Sequence, residues 1–84
     1  MNLTSDMVRA ARALLRWGQE DLAKKAKVSL PTIKRIEKDP GPIPGRRETA
    51  AAIETAFARA GVEFLFDRGE GVIRLKSKKS RKGD

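Results

Sequence analysis

The chain contains no cysteine and no histidine. Without cysteine it can form neither disulfide bonds nor the common zinc-binding scaffolds. Without histidine it lacks the side chain that most often serves as a general base or a metal ligand. No carboxylate lies in an apolar run that would tune it for catalysis. We therefore expect no enzymatic activity, no bound metal ion and no cofactor.

Long hydrophobic runs are also missing. No segment approaches the roughly 20 apolar residues that a membrane-spanning helix requires, and the start of the chain shows no charged-then-apolar signal pattern. We therefore predict a cytoplasmic protein without a membrane partner. Its 84 residues suit a single domain. A chain of this size buries only about 60–65% of its unfolded surface, so a partner subunit would add stability.

Positive charge, in contrast, is in excess. The formal net charge is +8, from 19 basic and 11 acidic residues. Residues 76–84 (KSKKSRKGD) hold five cations and one acid, whereas the preceding 75 residues hold fourteen cations and ten acids. Half of the surplus thus belongs to a short tail without apolar residues, which we predict to be disordered. The tail either aids solubility or acts as a phosphate-seeking arm, and the basic body favours the second interpretation.

Apolar residues in the first 60 positions recur at helical spacing, and polar caps or breakers separate the resulting segments. Gly18 separates the first two segments, Ser29 can cap the third, and three prolines and two glycines precede the fourth. Two β-prone runs near the end, joined by about five residues, predict a hairpin. We predict a mainly α domain over residues 1–75, with helices at about 5–17, 19–26, 30–38 and 46–60 and strands at about 62–66 and 72–75.

The second and third predicted helices have the spacing of a helix-turn-helix. Both are short and amphipathic, and three residues from Lys27 to Ser29 separate them. The third helix carries its cations on the face that its apolar residues do not use, and the major groove of DNA admits one α-helix. The pattern therefore predicts binding to double-stranded DNA. Base contacts are predicted for Ser29, Leu30, Pro31, Thr32, Lys34 and Arg35, and phosphate contacts for Gln19, Lys38, Arg46 and Arg47.

Five short stretches of the helix-turn-helix match a known pattern. Gln19 opens its first helix, Leu22-Ala23 lie within that helix, Val28-Ser29 lie in the turn, and Thr32-Ile33 and Ile36-Glu37 lie in the second helix. On these positions residues 5–60 resemble the helix-turn-helix domain of the phage-repressor family (Cro/cI, or XRE) of bacterial transcription regulators. The terminal hairpin is similar to that of a subgroup of short regulators. The resemblance implies a four-helix fold, a bacterial protein associated with the nucleoid when bound to DNA, and a structural ion pair between Arg12 and Glu37.

Two positions depart from the pattern of that family. Lys27 stands where the turn usually holds glycine, and a left-handed backbone there would cost a lysine on the order of 1 kcal/mol. Leu30 stands where many members place a polar base-contacting residue. It either contacts a thymine methyl group or forms an apolar patch for a protein partner.

Together these features predict a sequence-specific transcription regulator that binds an inverted-repeat operator as a homodimer. We expect a repressor or autoregulator rather than an activator, because no separate ligand-binding domain or small-molecule ligand is expected. We place the dimer interface in the hairpin and the end of the fourth helix, since an exposed strand edge can pair with the same edge of a second copy. The alternative is a protein-interaction module, an antiactivator or antitoxin, that uses the same fold to bind another protein.

Overall fold

The computed structural model describes residues 3–76, which form four helices followed by a two-stranded antiparallel hairpin. The architecture is thus mainly α, as the sequence predicts, and no described helix is long and apolar enough to cross a membrane. Apart from Lys76, the basic tail lies outside the described residues. The elements are α1 (Ser5–Leu15), α2 (Gln19–Ala26), α3 (Leu30–Lys38), α4 (Arg47–Arg59), β1 (Val62–Leu65) and β2 (Gly71–Arg74).

Local capping bonds explain where α2 and α3 begin. Ser29 precedes α3, and its hydroxyl accepts a hydrogen bond from the Thr32 backbone N–H at 3.3 Å. Pro31 lies in the first turn, where its missing N–H leaves no intrahelical bond unmade. Gly18 precedes α2, and the Asp21 carboxylate accepts its N–H at 2.7 Å. Both helices therefore coincide with their predicted ranges.

The predicted end of α1 at residue 17 is wrong by two residues. Arg16 adopts a left-handed backbone (φ 58°, ψ 38°), and the Trp17 N–H bonds back to the Arg12 carbonyl at 2.9 Å. This turn places Trp17 against Phe57, with ring centroids 5.4 Å apart in a stacked arrangement. The left-handed residue that ends a helix is usually glycine, so an arginine at position 16 does not indicate the end of α1. The other elements end within one residue of their predicted bounds.

The core lies where the four helices meet. α3 contacts α1 and α2, whereas α4 contacts α2 and β1, and β2 contacts α1. Each large aliphatic side chain removed from water here stabilises the fold by about 1.5–3 kcal/mol. The fully buried large apolar side chains are Val8, Leu22, Ile33, Ile36, Ile53 and Phe57.

The hairpin packs one of its faces on the helices. Phe64 of β1 lies opposite Val72 of β2, and Phe64 meets Phe57 edge-on with ring centroids 5.6 Å apart. The Arg74 guanidinium donates to the Leu14 carbonyl at 2.6 Å, at the end of α1. A two-stranded hairpin is at best marginally stable in water, so these contacts are needed to hold it.

Lys27 has the left-handed backbone for which glycine is suited (φ 58°, ψ 43°). We expect Lys27→Gly to raise the free energy of unfolding by about 0.5–1 kcal/mol, because it removes strain at the β-carbon while adding some entropy to the unfolded chain. Urea unfolding followed by circular dichroism measures the change. Lys24→Gly, within α2, is the matched control and should lower stability by about 1 kcal/mol. If both substitutions raised the free energy of unfolding, or both lowered it, the inference of strain at Lys27 would be wrong.

Candidate nucleic-acid interface

α3 has one buried face and one exposed face. Ile33, Ile36 and Glu37 are buried against α1 and α2. The exposed residues recur at spacings of i, i+3, i+4 and i+7, which is one continuous stripe along a helix. The members of this α3 stripe are Pro31, Lys34, Arg35 and Lys38.

Three of the four residues in the α3 stripe are cations. In residues 3–76 the ion pairs join Arg9 to Asp6 and Arg12 to Glu37, so no acidic side chain in that range neutralises the stripe. Unpaired cations on one side of a narrow rod attract phosphate, and their N–H groups can donate to acceptors on base edges. The stripe is therefore electrostatically and sterically suited to a nucleic-acid groove.

The first turn of α3 offers mostly apolar and already bonded groups. Ser29 is exposed, but its hydroxyl donates to the Thr32 hydroxyl at 2.8 Å while accepting the Thr32 N–H. Thr32 is half-buried and keeps its own hydroxyl hydrogen as a free donor. Leu30 is also half-buried and does not belong to the described residues that pack against the core. Thr32 thus flanks the exposed stripe rather than standing in its centre.

The Glu37 carboxylate joins three helices. Arg12 of α1 donates to it twice, from Nε to Oε2 at 2.8 Å and from Nη2 to Oε1 at 2.6 Å. Gln19 of α2 donates from Nε2 to Oε1 at 3.1 Å. The Glu37 side chain is only 3% exposed and that of Arg12 19%, so water screens these charge-assisted bonds weakly. The Arg12–Glu37–Gln19 cluster therefore fixes α3 against α1 and α2.

The residues predicted to contact phosphate lie on three different elements. Gln19 begins α2, and because its amide nitrogen carries two hydrogens, one stays available beside the bond to Glu37. Lys38 is exposed at the end of α3, whereas Arg46 and Arg47 are exposed at the start of α4.

The loop between α3 and α4, which leads to Arg46 and Arg47, is held by backbone hydrogen bonds to the start of the described chain. The Ser5 N–H donates to the Gly41 carbonyl at 2.9 Å, and the Ile43 N–H donates to the Leu3 carbonyl at 3.1 Å.

Arg9 is a contributor that sequence reasoning missed. Its guanidinium donates to the backbone carbonyl of Glu37, near the end of α3, and to the Asp6 carboxylate. A usable signal was present, because Arg9 and Arg12 are three residues apart and share a face of α1. Cations are favoured near the unpaired carbonyls at a helix C-terminus, so Arg9 stabilises the same helix end that Arg12 holds.

A comparison with protein-family models finds no match for this chain, and a comparison with curated proteins also finds none. The function is therefore inferred from the residues and contacts described above.

Proposed function

We propose that this protein is a sequence-specific DNA-binding regulator of transcription, in which α2 and α3 form the helix-turn-helix of a phage-repressor-like domain. The exposed α3 stripe carries the proposal, because its three cations have no ionic partner in residues 3–76. The major groove of B-DNA is about 12 Å wide and admits one α-helix. In this arrangement Lys34 and Arg35 contact bases, while Gln19, Lys38, Arg46 and Arg47 contact phosphates.

The buried side of α3 supports the same proposal. A helix that discriminates between bases has to be held in one orientation, and the Arg12–Glu37–Gln19 cluster does this from the face opposite the stripe. Two copies related by a two-fold axis would place their α3 helices in successive major grooves, about 34 Å apart, on an inverted repeat. Such a dimer would act as a repressor or autoregulator because it would occupy a promoter. We place the protein in the cytoplasm.

Selection of bound oligonucleotides from a random pool tests the proposal. With the full chain at about 150 mM salt, we expect a palindrome whose half-sites lie about one helical turn apart. A gel-shift assay on the promoter region of its own gene then checks whether the recovered site is used for autoregulation. Failure of any sequence to bind more tightly than random DNA at that salt concentration would refute the proposed function.

A protein-interaction module is the second candidate, and the surroundings of Leu30 are what favour it. This leucine lies half-exposed at the start of α3 and outside the packed core, where a partner protein could cover it. In this case a pull-down would capture an acidic protein with high affinity, and footprinting would show no specific DNA site. The oligonucleotide selection described above therefore separates the two candidates.

If α3 enters the major groove, the Leu30 side chain should contact a thymine methyl group. Replacing that thymine by deoxyuridine removes only the methyl group, and we expect affinity to fall about fourfold, which corresponds to about 0.8 kcal/mol. Leu30→Ala should bind the two oligonucleotides equally well in a polarisation assay. Leu14→Ala, which truncates a half-buried leucine of α1 outside the packed core, is the matched control and should keep the fourfold preference. A preference that persists in Leu30→Ala would assign the methyl contact to another residue.

A further inference from the structure

The hairpin exposes several large apolar side chains. In residues 3–76 the exposed large hydrophobic side chains are Leu65, Ile73 and Leu75, which are 43%, 42% and 52% exposed. All three belong to the hairpin or to the residue that follows it. Single exposed leucines are common on protein surfaces, but a contiguous apolar group marks a site of interaction.

The strand register places Leu65 and Ile73 on one face, and Leu75 follows at the end of the hairpin. Leu65 lies opposite Gly71, and a β-carbon added at Gly71 would lie 3.5 Å from the Leu65 β-carbon. Ile73 lies two residues further along the same strand, and Leu75 two further still. Because side chains alternate between the two faces of a strand, Leu65 and Ile73 share the face opposite the one that packs on the helices, together with the exposed Glu63 opposite Ile73. Leu75 lies just beyond β2 at the open end of the hairpin, where it lines a groove with Glu54 and Ala58 of α4. We call Leu65, Ile73 and Leu75 the hairpin patch.

The charge distribution indicates what covers the hairpin patch. Residues 61–76 hold three acids and three cations and are electrically neutral, whereas residues 3–60 hold twelve cations and seven acids. A nucleic acid or an acidic protein would be drawn to the basic helices rather than to the hairpin. Two copies of this chain, each with a positive net charge, repel each other least when their neutral hairpins face each other. An aliphatic face is also complementary to itself, as a two-fold interface requires.

We propose that the hairpin patch is the surface through which two copies of this chain associate. The proposal deepens the proposed function, since it assigns the dimer interface of a DNA-binding regulator. The hairpin contacts α1 and α4, whereas α3 contacts α1 and α2, and the α3 stripe is solvent-exposed. Association through the patch therefore leaves the stripe free for DNA.

The size of the patch sets the expected strength of association. Strands of four residues at about 3.3 Å each, two strands wide, form a face of about 13 by 10 Å. This is far below the roughly 800 Å² per partner that a standard stable interface buries. We therefore expect a weak dimer in solution, with a dissociation constant on the order of 100 μM, that binding to both half-sites of an operator strengthens.

Sedimentation of the full chain without DNA, from about 10 to 500 μM, is the first measurement. The Leu65→Thr/Ile73→Thr double variant keeps residues with high strand propensity but removes the apolar face, and should raise the dissociation constant at least about tenfold. Glu63→Thr is the matched control, because it introduces the same residue on the same face without removing an aliphatic side chain. It should dimerise as well as or better than the unaltered chain. Unfolding curves confirm that each variant is folded.

Cross-linking supplies a second measurement, because the chain has no cysteine and an introduced thiol is unique. Ile73→Cys should cross-link with a short bismaleimide far more than Thr55→Cys, which lies on the exposed side of α4. Equal cross-linking at the two positions, equal dimerisation of the double variant, or a chain that stays monomeric throughout would each overturn the proposal. Since none of these measurements involves DNA, they can fail while an operator is still recovered, and they can succeed when none is found.

Discussion

The Arg12→Ala variant is expected to lose about 3 kcal/mol of its free energy of unfolding, a large share of the stability of a small domain. The Glu37 side chain is 3% exposed and receives two of its three side-chain hydrogen bonds from Arg12. Without Arg12 a buried carboxylate keeps only the Gln19 amide, and it must either stay poorly paired or draw water into the core. Urea unfolding followed by circular dichroism measures the loss.

Two further variants separate this ion pair from a general effect of charge. Arg59→Ala removes an exposed arginine from α4, and its stability should change by no more than about 0.5 kcal/mol. The double variant Arg12→Met/Glu37→Leu replaces both charges by apolar side chains and should recover most of the loss. If Arg12→Ala were no less stable than Arg59→Ala, the cluster would not be what holds α3 in place.

Arg35→Ala is expected to have the largest effect on DNA recognition. Arg35 is exposed on the α3 stripe, where a guanidinium can donate two hydrogen bonds to a guanine edge. Its loss should weaken binding to the selected operator by about 1–3 kcal/mol, or about 5- to 150-fold, and relax the preference at one base pair. Polarisation assays against every single-base variant of the operator measure both effects.

Arg46→Ala is the matched comparison, because the same residue type is removed from an exposed position off α3. It should weaken binding to all sequences alike and lower the slope of log affinity against log salt by about one, as expected for a lost phosphate contact. Arg59→Ala, far along α4, should change neither quantity. If Arg35→Ala and Arg46→Ala behaved alike, the distinction between base-contacting and phosphate-contacting residues would be wrong.

Several features could be predicted because their causes are local in the chain. The start of α3 follows from the Ser29 cap and Pro31, whose effects extend over one turn. The inward face of the hairpin follows from alternation, which places Phe64 towards the helices and Leu65 away from them. The α3 stripe follows from helical periodicity in the same way, since Ile33 and Ile36 have to face the core.

Other features could not be predicted because they depend on residues distant in sequence. The left-handed turn at Arg16 is stabilised by the stacking of Trp17 on Phe57, forty residues away. The bond between Gln19 and Glu37 exists only once α2 and α3 have packed together. The spacing of Arg9 and Arg12 places both on one face of α1, but only the packing of α1 against α3 decides that the Arg9 guanidinium meets the end of α3.

By itself the sequence determined the number and type of the elements, the absence of thiol and imidazole chemistry, and which side of α3 is cationic. These properties depend on composition and short-range periodicity, which are the same in any arrangement of the helices. The pairing of Arg12 with Glu37 was expected from the sequence and is present in the structure. Only the tertiary structure decided that this carboxylate is buried, that Gln19 also bonds to it, and that Leu65, Ile73 and Leu75 remain uncovered within residues 3–76. Burial and pairing of this kind depend on which surfaces meet when the chain folds, and that is a property of the whole domain.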